Sequence, residues 1–166
     1  STPKIANNIP PIIIVDIDEK SLKKQGRWPW SRKKLAKLID QISANTPAVI
    51  ALDIVLSEAE KNPITSLDKE LLNMNKKLPN WLGELKNELD ADTIFSQTIK
   101  DKEVVLGYPF HKNLMSHSGK LPETAVSSDI KNIEFLTAIN MRGYSANLNK
   151  FTDNVAGSGF FSISPD

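Results

Sequence analysis

The sequence of 166 residues is 40% hydrophobic and 25% charged, which is typical of a globular protein, and its length fits one domain. It contains no cysteine, so thiol catalysis, cysteine-ligated zinc and disulfides are excluded. The formal net charge is +1 and the lysines are scattered. This pattern argues against nucleic-acid and membrane-surface binding, since both favour a concentrated basic face.

The ends of the chain and its apolar stretches bear on its relation to a membrane. The longest apolar stretch, Ala48–Leu56, has about nine residues, whereas a spanning helix needs about 20. No signal-peptide pattern is seen near the start. The abrupt ends, at Ser1 and Asp166, indicate a fragment of a longer parent protein. Any membrane anchor would then lie in flanking helices outside this fragment.

The first predicted element is the continuous apolar run from Pro11 to Ile17, which is rich in β-branched residues. Such a run predicts a strand buried on both faces, within a parallel or mixed sheet. Asp16 and Asp18 would end this strand and point to the same side. Asp18 could also N-cap a short helix that ends at Gln25-Gly26.

A helix and a second strand follow. Ser31 has N-cap character, and apolar residues at helical spacing predict a helix over 32–44. The apolar run 48–56 predicts a second buried strand, which completes a βαβ unit. The carboxyl ends of parallel neighbours meet at one edge, so Asp16, Asp18 and Asp53 would share a rim where ligands of α/β sheets bind.

The rest of the chain is predicted more coarsely. Residues 59–90 are polar and interrupted by prolines, and we predict a helical insertion with helices near 67–74 and 81–89. A helix over 91–100 and a strand over 103–108 follow. Residues 109–122 read as a loop with both histidines, and 123–150 are weakly patterned. Residues 156–163 read as a glycine-rich turn that enters a last strand. The fold prediction is one α/β domain over residues 1–166: a mixed or mainly parallel sheet with a βαβ core flanked by helices.

Two motifs could carry chemistry. An apolar strand ending in Asp16-x-Asp18 resembles the haloacid-dehalogenase-type phosphatases, which would make Asp16 the nucleophile of a Mg²⁺-dependent phosphohydrolase. Lys20 departs from that family, which has Thr or Val there, so capping or pairing with Arg27 or Arg32 is the favoured role of the acids. Trp28 and Trp30 could form a recognition surface with these arginines. The favoured alternative is a structural plug over the sheet end.

His111 and His117 are six residues apart, which matches no standard metal spacing, and we predict surface roles for both. Gly157-Ser-Gly159 lacks the Lys-Ser/Thr that follows in a phosphate-binding loop. We therefore predict no catalytic residue, no metal and no cofactor.

Three blocks in fixed order resemble the opening of the CHASE2 domain: residues 13–22, then Gly26-Arg-Trp-Pro-Trp-Ser-Arg32, then 48–58 after a helix. Residues 91–108 and 156–166 resemble later segments of the same family, whose final part this chain lacks. The resemblance implies an extracytoplasmic (periplasmic) sensory domain of a bacterial inner-membrane receptor, without enzyme activity of its own. The receptor's output would be an adenylate cyclase, a diguanylate cyclase or a histidine kinase.

The sensor hypothesis implies an unknown small ligand or a periplasmic protein partner, and a homodimer within the parent receptor. It includes no nucleic acid, and the membrane is reached only through the flanking helices. The candidate ligand-binding residues are Asp16, Asp18, Arg27, Trp28, Trp30, Arg32 and Asp53. Two alternatives stay open: the Mg²⁺-dependent phosphohydrolase using Asp16 and Asp18, and a purely structural dimerisation module.

Overall fold

The computed structural model describes residues 12–123 and 141–161. Part of the weakly patterned region and the end of the last predicted strand lie outside the described residues. The chain divides into two compact units, one ending at Trp30 and the other beginning at Ser31.

The first unit contains one helix, α1 (Glu19–Gln25). The Asp18 side chain accepts a hydrogen bond from the backbone N–H of Ser21 at 2.8 Å and so caps the helix. Gly26 ends it with φ at 94°, a left-handed conformation that glycine adopts without steric cost. Both ends of this helix confirm the prediction from sequence.

The predicted strand over Pro11–Ile17 is wrong for the described residues 12–17, which have no strand assignment. Ile12, Ile13 and Ile14 are 88%, 81% and 87% exposed. A β-branched run forms a strand only where a neighbouring strand pairs with it, and no strand of the described residues pairs with residues 12–17. The predicted βαβ unit therefore lacks its first strand.

The second unit holds five helices among its described residues. They are α2 (Arg32–Ser43), α3 (Pro63–Asn73), α4 (Asn80–Glu88), α5 (Ala91–Ile99) and α6 (Asn149–Thr152). The Ser31 side chain caps α2 and the Asp90 side chain caps α5, because each accepts a hydrogen bond from a backbone N–H in the first turn. The first four of these helices confirm the sequence predictions to within a few residues.

The main sheet of the second unit is parallel and three-stranded, in the order β1-β2-β6. Its strands are β1 (Ile50–Leu52), β2 (Val104–Tyr108) and β6 (Gly157–Phe160). Leu52 pairs with Leu106, and Leu106 pairs with Ser158, so the three strands end near the same edge. This sheet and its helices confirm the α/β class.

A second small sheet has the order β3-β5-β4 and consists of short strands. They are β3 (Phe110–His111), β4 (His117–Ser118) and β5 (Gly143–Ser145). β5 runs antiparallel to β3 and parallel to β4. The prediction of a plain loop over 109–122 is therefore wrong: two pieces of it pair with a strand from the weakly patterned region.

The core of the second unit lies where α2 and α5 pack against each other. Ile39 of α2 and Phe95 and Ile99 of α5 are almost completely buried. The rings of Phe95 and Phe151 meet edge to face, with centroids 5.1 Å apart, which joins α6 to the same core. Among the described residues, no helix combines the length and apolar character needed to cross a bilayer.

Candidate functional site

The carboxyl ends of β1, β2 and β6 define an edge of the main sheet, which we call the carboxyl edge. Asp53 follows the last residue of β1, Tyr108 ends β2 and Phe160 ends β6. Tyr108 and Phe160 are direct partners in the parallel register, so they stand side by side. Ligands of open α/β sheets bind outside such ends, and the described part of the chain brings one exposed acid and several aromatic rings there.

A row of aromatic side chains extends along the carboxyl edge. The rings of Tyr108 and Phe110 meet edge to face at 5.4 Å, and Phe110 lies 5.8 Å from Phe160. Tyr108 is buried, and this burial raises the pKa of its hydroxyl, which keeps it a neutral hydrogen-bond donor. Phe160 is 57% exposed, so the row passes from the interior to a surface on which a ligand could stack.

Asn147 connects two segments near the carboxyl edge through buried hydrogen bonds. Its side-chain oxygen accepts a hydrogen bond from the N–H of Leu56 at 2.7 Å, and its amide nitrogen donates to the carbonyl of Gly107 at 3.0 Å. Asn147 is 1% exposed, so both bonds are made away from water. One buried amide thus connects the segment after β1 to β2 and fixes their relative position.

The two histidines lie in the small sheet. The Nε2 atom of His111 is 2.8 Å from the hydroxyl of Ser145, a contact that joins β3 to β5. The ring of His117 meets Tyr144 edge to face at 5.1 Å. The described residues contain no group of three or more histidine, aspartate or glutamate side chains placed to hold a metal ion.

A family model of the CHASE2 domain matches residues 2–166. The chain belongs to the CHASE2 family. CHASE2 domains are extracytoplasmic sensory domains, so the match confirms the family resemblance and the sensory class that it implied. It also includes residues 59–90 and 109–155, where the sequence motifs gave no resemblance. No curated protein and no solved structure gives a significant match to the chain.

In the first unit of this CHASE2 domain, the two candidate acids have different surroundings. Asp16 is exposed, and the described segment before it forms no strand. Asp18 caps α1, and the hydrogen bonds from Ser21 lower the pKa of its carboxyl. The expected pair of acids at the end of a buried strand is therefore not formed, and the phosphohydrolase hypothesis loses the geometry on which it was based.

The tryptophans of the first unit also differ from each other. Trp30 is buried, and its indole N–H donates to the carbonyl of Gly26 at 2.8 Å, which closes the turn that follows α1. Trp28 is 44% exposed, with its ring 6.3 Å from that of Trp30, and Arg27 is exposed beside it. Trp30 is thus buried and hydrogen-bonded, as expected of a structural residue. The side chains of Arg27 and Trp28 are exposed to solvent.

Arg32, the remaining candidate, lies at the start of α2 in a buried ionic cluster of the second unit. Its Nε is 3.3 Å from Oδ1 of Asp92, and these side chains are 13% and 5% exposed. The guanidinium also donates to the carbonyl of Glu58 at 2.8 Å and lies 5.8 Å from the ring centroid of Phe151. The positive charge of Arg32 is therefore paired with Asp92 within the second unit.

Asp92 and Glu60 complete the cluster around Arg32. The Asp92 carboxylate accepts a hydrogen bond from the N–H of Glu60 at 2.9 Å. The Glu60 carboxylate in turn accepts one from the N–H of Arg32. The cluster ties the segment before α3 to the first turns of α2 and α5.

Sequence reasoning placed Asp53 at a strand end, and the structure agrees. It overlooked the aromatic row, although Tyr108 closed a predicted strand and Phe160 lay in another, so the strand-end rule could have found both. Asp92 and Asn147 carried no such signal, because their roles depend on partners that are distant in sequence.

Proposed function

We propose that this CHASE2 domain senses a small ligand at its carboxyl edge, as the extracytoplasmic part of a bacterial transmembrane receptor. The domain itself is not an enzyme. The receptor's output is an adenylate cyclase, a diguanylate cyclase or a histidine kinase, and the receptor works as a homodimer in the inner membrane. Family membership supports the sensory role, and the aromatic row supports the choice of site.

The observation that carries the proposal is the aromatic row ending at an exposed Phe160, on the edge where Asp53 is also exposed. Aromatic faces stack on flat or apolar groups, and a carboxylate accepts hydrogen bonds or pairs with a cation. The combination favours a small organic ligand with an apolar part and an amine or other donor group.

Of the candidates from sequence, Asp53 is the one assigned to this edge. Arg27 and Trp28 are proposed as a further contact surface of the first unit, because their side chains are exposed. Asp18, Trp30 and Arg32 are assigned supporting roles, since each makes hydrogen bonds that fix local structure. Asp16 keeps an exposed carboxylate and is the least constrained of the set.

A ligand signals only if it binds one conformation of the domain more tightly than another. A shift from 1:99 to 99:1 needs about 5.5 kcal/mol of differential affinity. The contact at Asn147 suggests how binding could be transmitted, because a ligand held between Asp53 and the end of β2 would act on two segments that this one amide connects.

The test is a thermal-shift screen of the 166-residue chain against metabolites and ions. A ligand of the native state raises Tm, and the shift grows with ligand concentration. We expect Asp53→Ala and Phe160→Ala to reduce the shift, while Glu88→Ala, which removes another exposed acid, leaves it unchanged. If Asp53→Ala and Phe160→Ala do not reduce the Tm shift that a ligand causes, that ligand binds at another site. Absence of any hit would favour sensing through a periplasmic protein partner.

A further inference from the structure

Helices α3 and α4 form a helical hairpin. The side-chain amide of Asn62, just before α3, donates to the carbonyl of Lys86 near the end of α4 at 2.9 Å. The ammonium of Lys86 pairs with Asp68 at 2.9 Å. These contacts join the first half of α3, and the residue before it, to the end of α4. The connection between the helices therefore lies at the opposite end, and we call residues 71–83 the hairpin end.

The hairpin end exposes large apolar side chains. Leu72, Met74 and Trp81 are 59%, 65% and 64% exposed. Single exposed apolar residues are ordinary on protein surfaces, but here three lie within ten positions at one end of a hairpin. By contrast Ile64, at the start of α3, is buried, so the apolar exposure increases toward the hairpin end.

The charge of the hairpin end is uniform in sign. Between Glu70 and Glu84 the sequence contains Lys76 and Lys77 and no acidic residue, and both lysines are exposed. The whole chain has a formal net charge of only +1, so its net charge gives no indication of this cationic end. The low net charge of the whole sequence argued against membrane-surface binding. The hairpin end differs from the chain as a whole, because its only charged side chains are two lysines.

We propose that the hairpin end docks on an anionic phospholipid surface. Trp81 and the neighbouring aliphatic side chains enter the headgroup region, where amphipathic rings are favoured, and the lysines pair with lipid phosphates. A like pairing of two hairpin ends from two copies is disfavoured, because both are cationic. The inference rests on the hairpin alone and does not depend on the ligand site at the carboxyl edge.

The experiment is cosedimentation of the 166-residue chain with vesicles of phosphatidylcholine alone or mixed with phosphatidylglycerol. We expect binding to the anionic vesicles that weakens as salt is raised, because salt screens the attraction. The double variant Lys76→Gln/Lys77→Gln should lose affinity on the order of 30-fold, at about one order of magnitude per 1.4 kcal/mol and about 1 kcal/mol per lysine. Trp81→Ser should also weaken binding.

Matched controls separate the hairpin end from general attraction. Lys23→Gln/Lys24→Gln removes another adjacent pair of exposed lysines, and Met115→Ser removes another exposed methionine. Both should bind like wild type, and circular dichroism should show every variant folded. Equal loss in the controls and the hairpin variants would overturn the proposal, as would no binding at low salt. Vesicle-independent association that the hairpin variants abolish would instead identify a second copy as the partner.

Discussion

The phenyl ring of Phe161 lies where a side chain on Gly107 would be. A β-carbon at Gly107 would be 1.9 Å from Cε1 of Phe161 and 3.1 Å from the carbonyl oxygen of Leu52. The N–H of Phe161 donates to the carbonyl of Tyr108 at 3.0 Å, which holds the ring beside β2. Glycine is therefore needed at this next-to-last position of β2, because the ring of Phe161 approaches the backbone closely.

Gly107→Ala should destabilise the protein by about 1–3 kcal/mol, because the added methyl group overlaps the ring and crowds a backbone carbonyl. The free energy of unfolding, measured by chemical denaturation, tests this. Gly159→Ala is the matched control: Gly159 pairs with Gly107 in the register, but a β-carbon there meets no atom within 4 Å. A neutral Gly107→Ala would show that the ring is not packed at this position.

Asn147→Ala should be among the more harmful single changes in the second unit. It would leave the N–H of Leu56 and the carbonyl of Gly107 buried without their partner. Each unsatisfied buried group costs about 1–3 kcal/mol, so for the two groups we expect a loss of about 2–6 kcal/mol in the free energy of unfolding. Asn113→Ala changes an exposed asparagine and should stay within about 0.5 kcal/mol. Equal effects of the two variants would contradict the bridging role.

Asp92→Ala should cost about 3–5 kcal/mol, because it leaves the Arg32 guanidinium buried without its carboxylate. The double variant Arg32→Met/Asp92→Leu removes both charges, and we expect it to recover part of that loss. Asp153→Ala breaks the half-exposed pair with Lys120 and should cost about 0–1 kcal/mol. Urea denaturation of all variants measures the difference. A double variant that is worse than Asp92→Ala would contradict an unpaired charge as the cause.

Asp90 makes the free energy of unfolding depend on pH in the acid range. Burial raises the pKa of Asp90, but hydrogen bonds from Thr93 and the ammonium of Lys150 outweigh it and hold the pKa below 3.8. A depressed pKa in the folded state gives stability that is fully present above the unfolded value of 3.8. That stability is lost as pH falls through the lower folded value.

Asp90→Asn keeps an N-cap oxygen for α5 but no longer titrates. The variant's free energy of unfolding should therefore fall less steeply than that of wild type as pH is lowered below about 4. At neutral pH its stability should be lower than that of wild type, because the attraction to Lys150 is lost. Parallel slopes for the two proteins in acid would show that Asp90 does not contribute to the pH dependence.

Helices were predictable because their signals are local. Ser31 caps α2 through the N–H of Lys34, three residues away, and Leu35 and Ile39 repeat at helical spacing. The small sheet was missed because its strands have only two or three residues and depend on pairing across the chain. A pattern of two residues carries no period, so no reading of hydrophobicity could have found it.

The candidate site, like the fold, was predictable only where its signal in the sequence is local. Asp53 was placed at a sheet edge by the end of an apolar run, which is a local signal. Asn147 bonds to Leu56 and Gly107, which are 91 and 40 residues away in sequence. It lies in a weakly patterned region, so its role depends on the folded chain. The first predicted strand failed for the opposite reason: its local pattern was strong, but a strand also needs a neighbour.

The exposure of residues 12–15 can be tested directly by substitution. Ile14→Ala should change the free energy of unfolding by no more than about 0.5 kcal/mol, because the side chain is 87% exposed. Ile39→Ala is the matched control, since Ile39 is 1% exposed and its truncation should cost about 2–5 kcal/mol. If Ile14→Ala costs as much as Ile39→Ala, the β-branched run is covered in solution, and the strand indicated by the sequence forms after all.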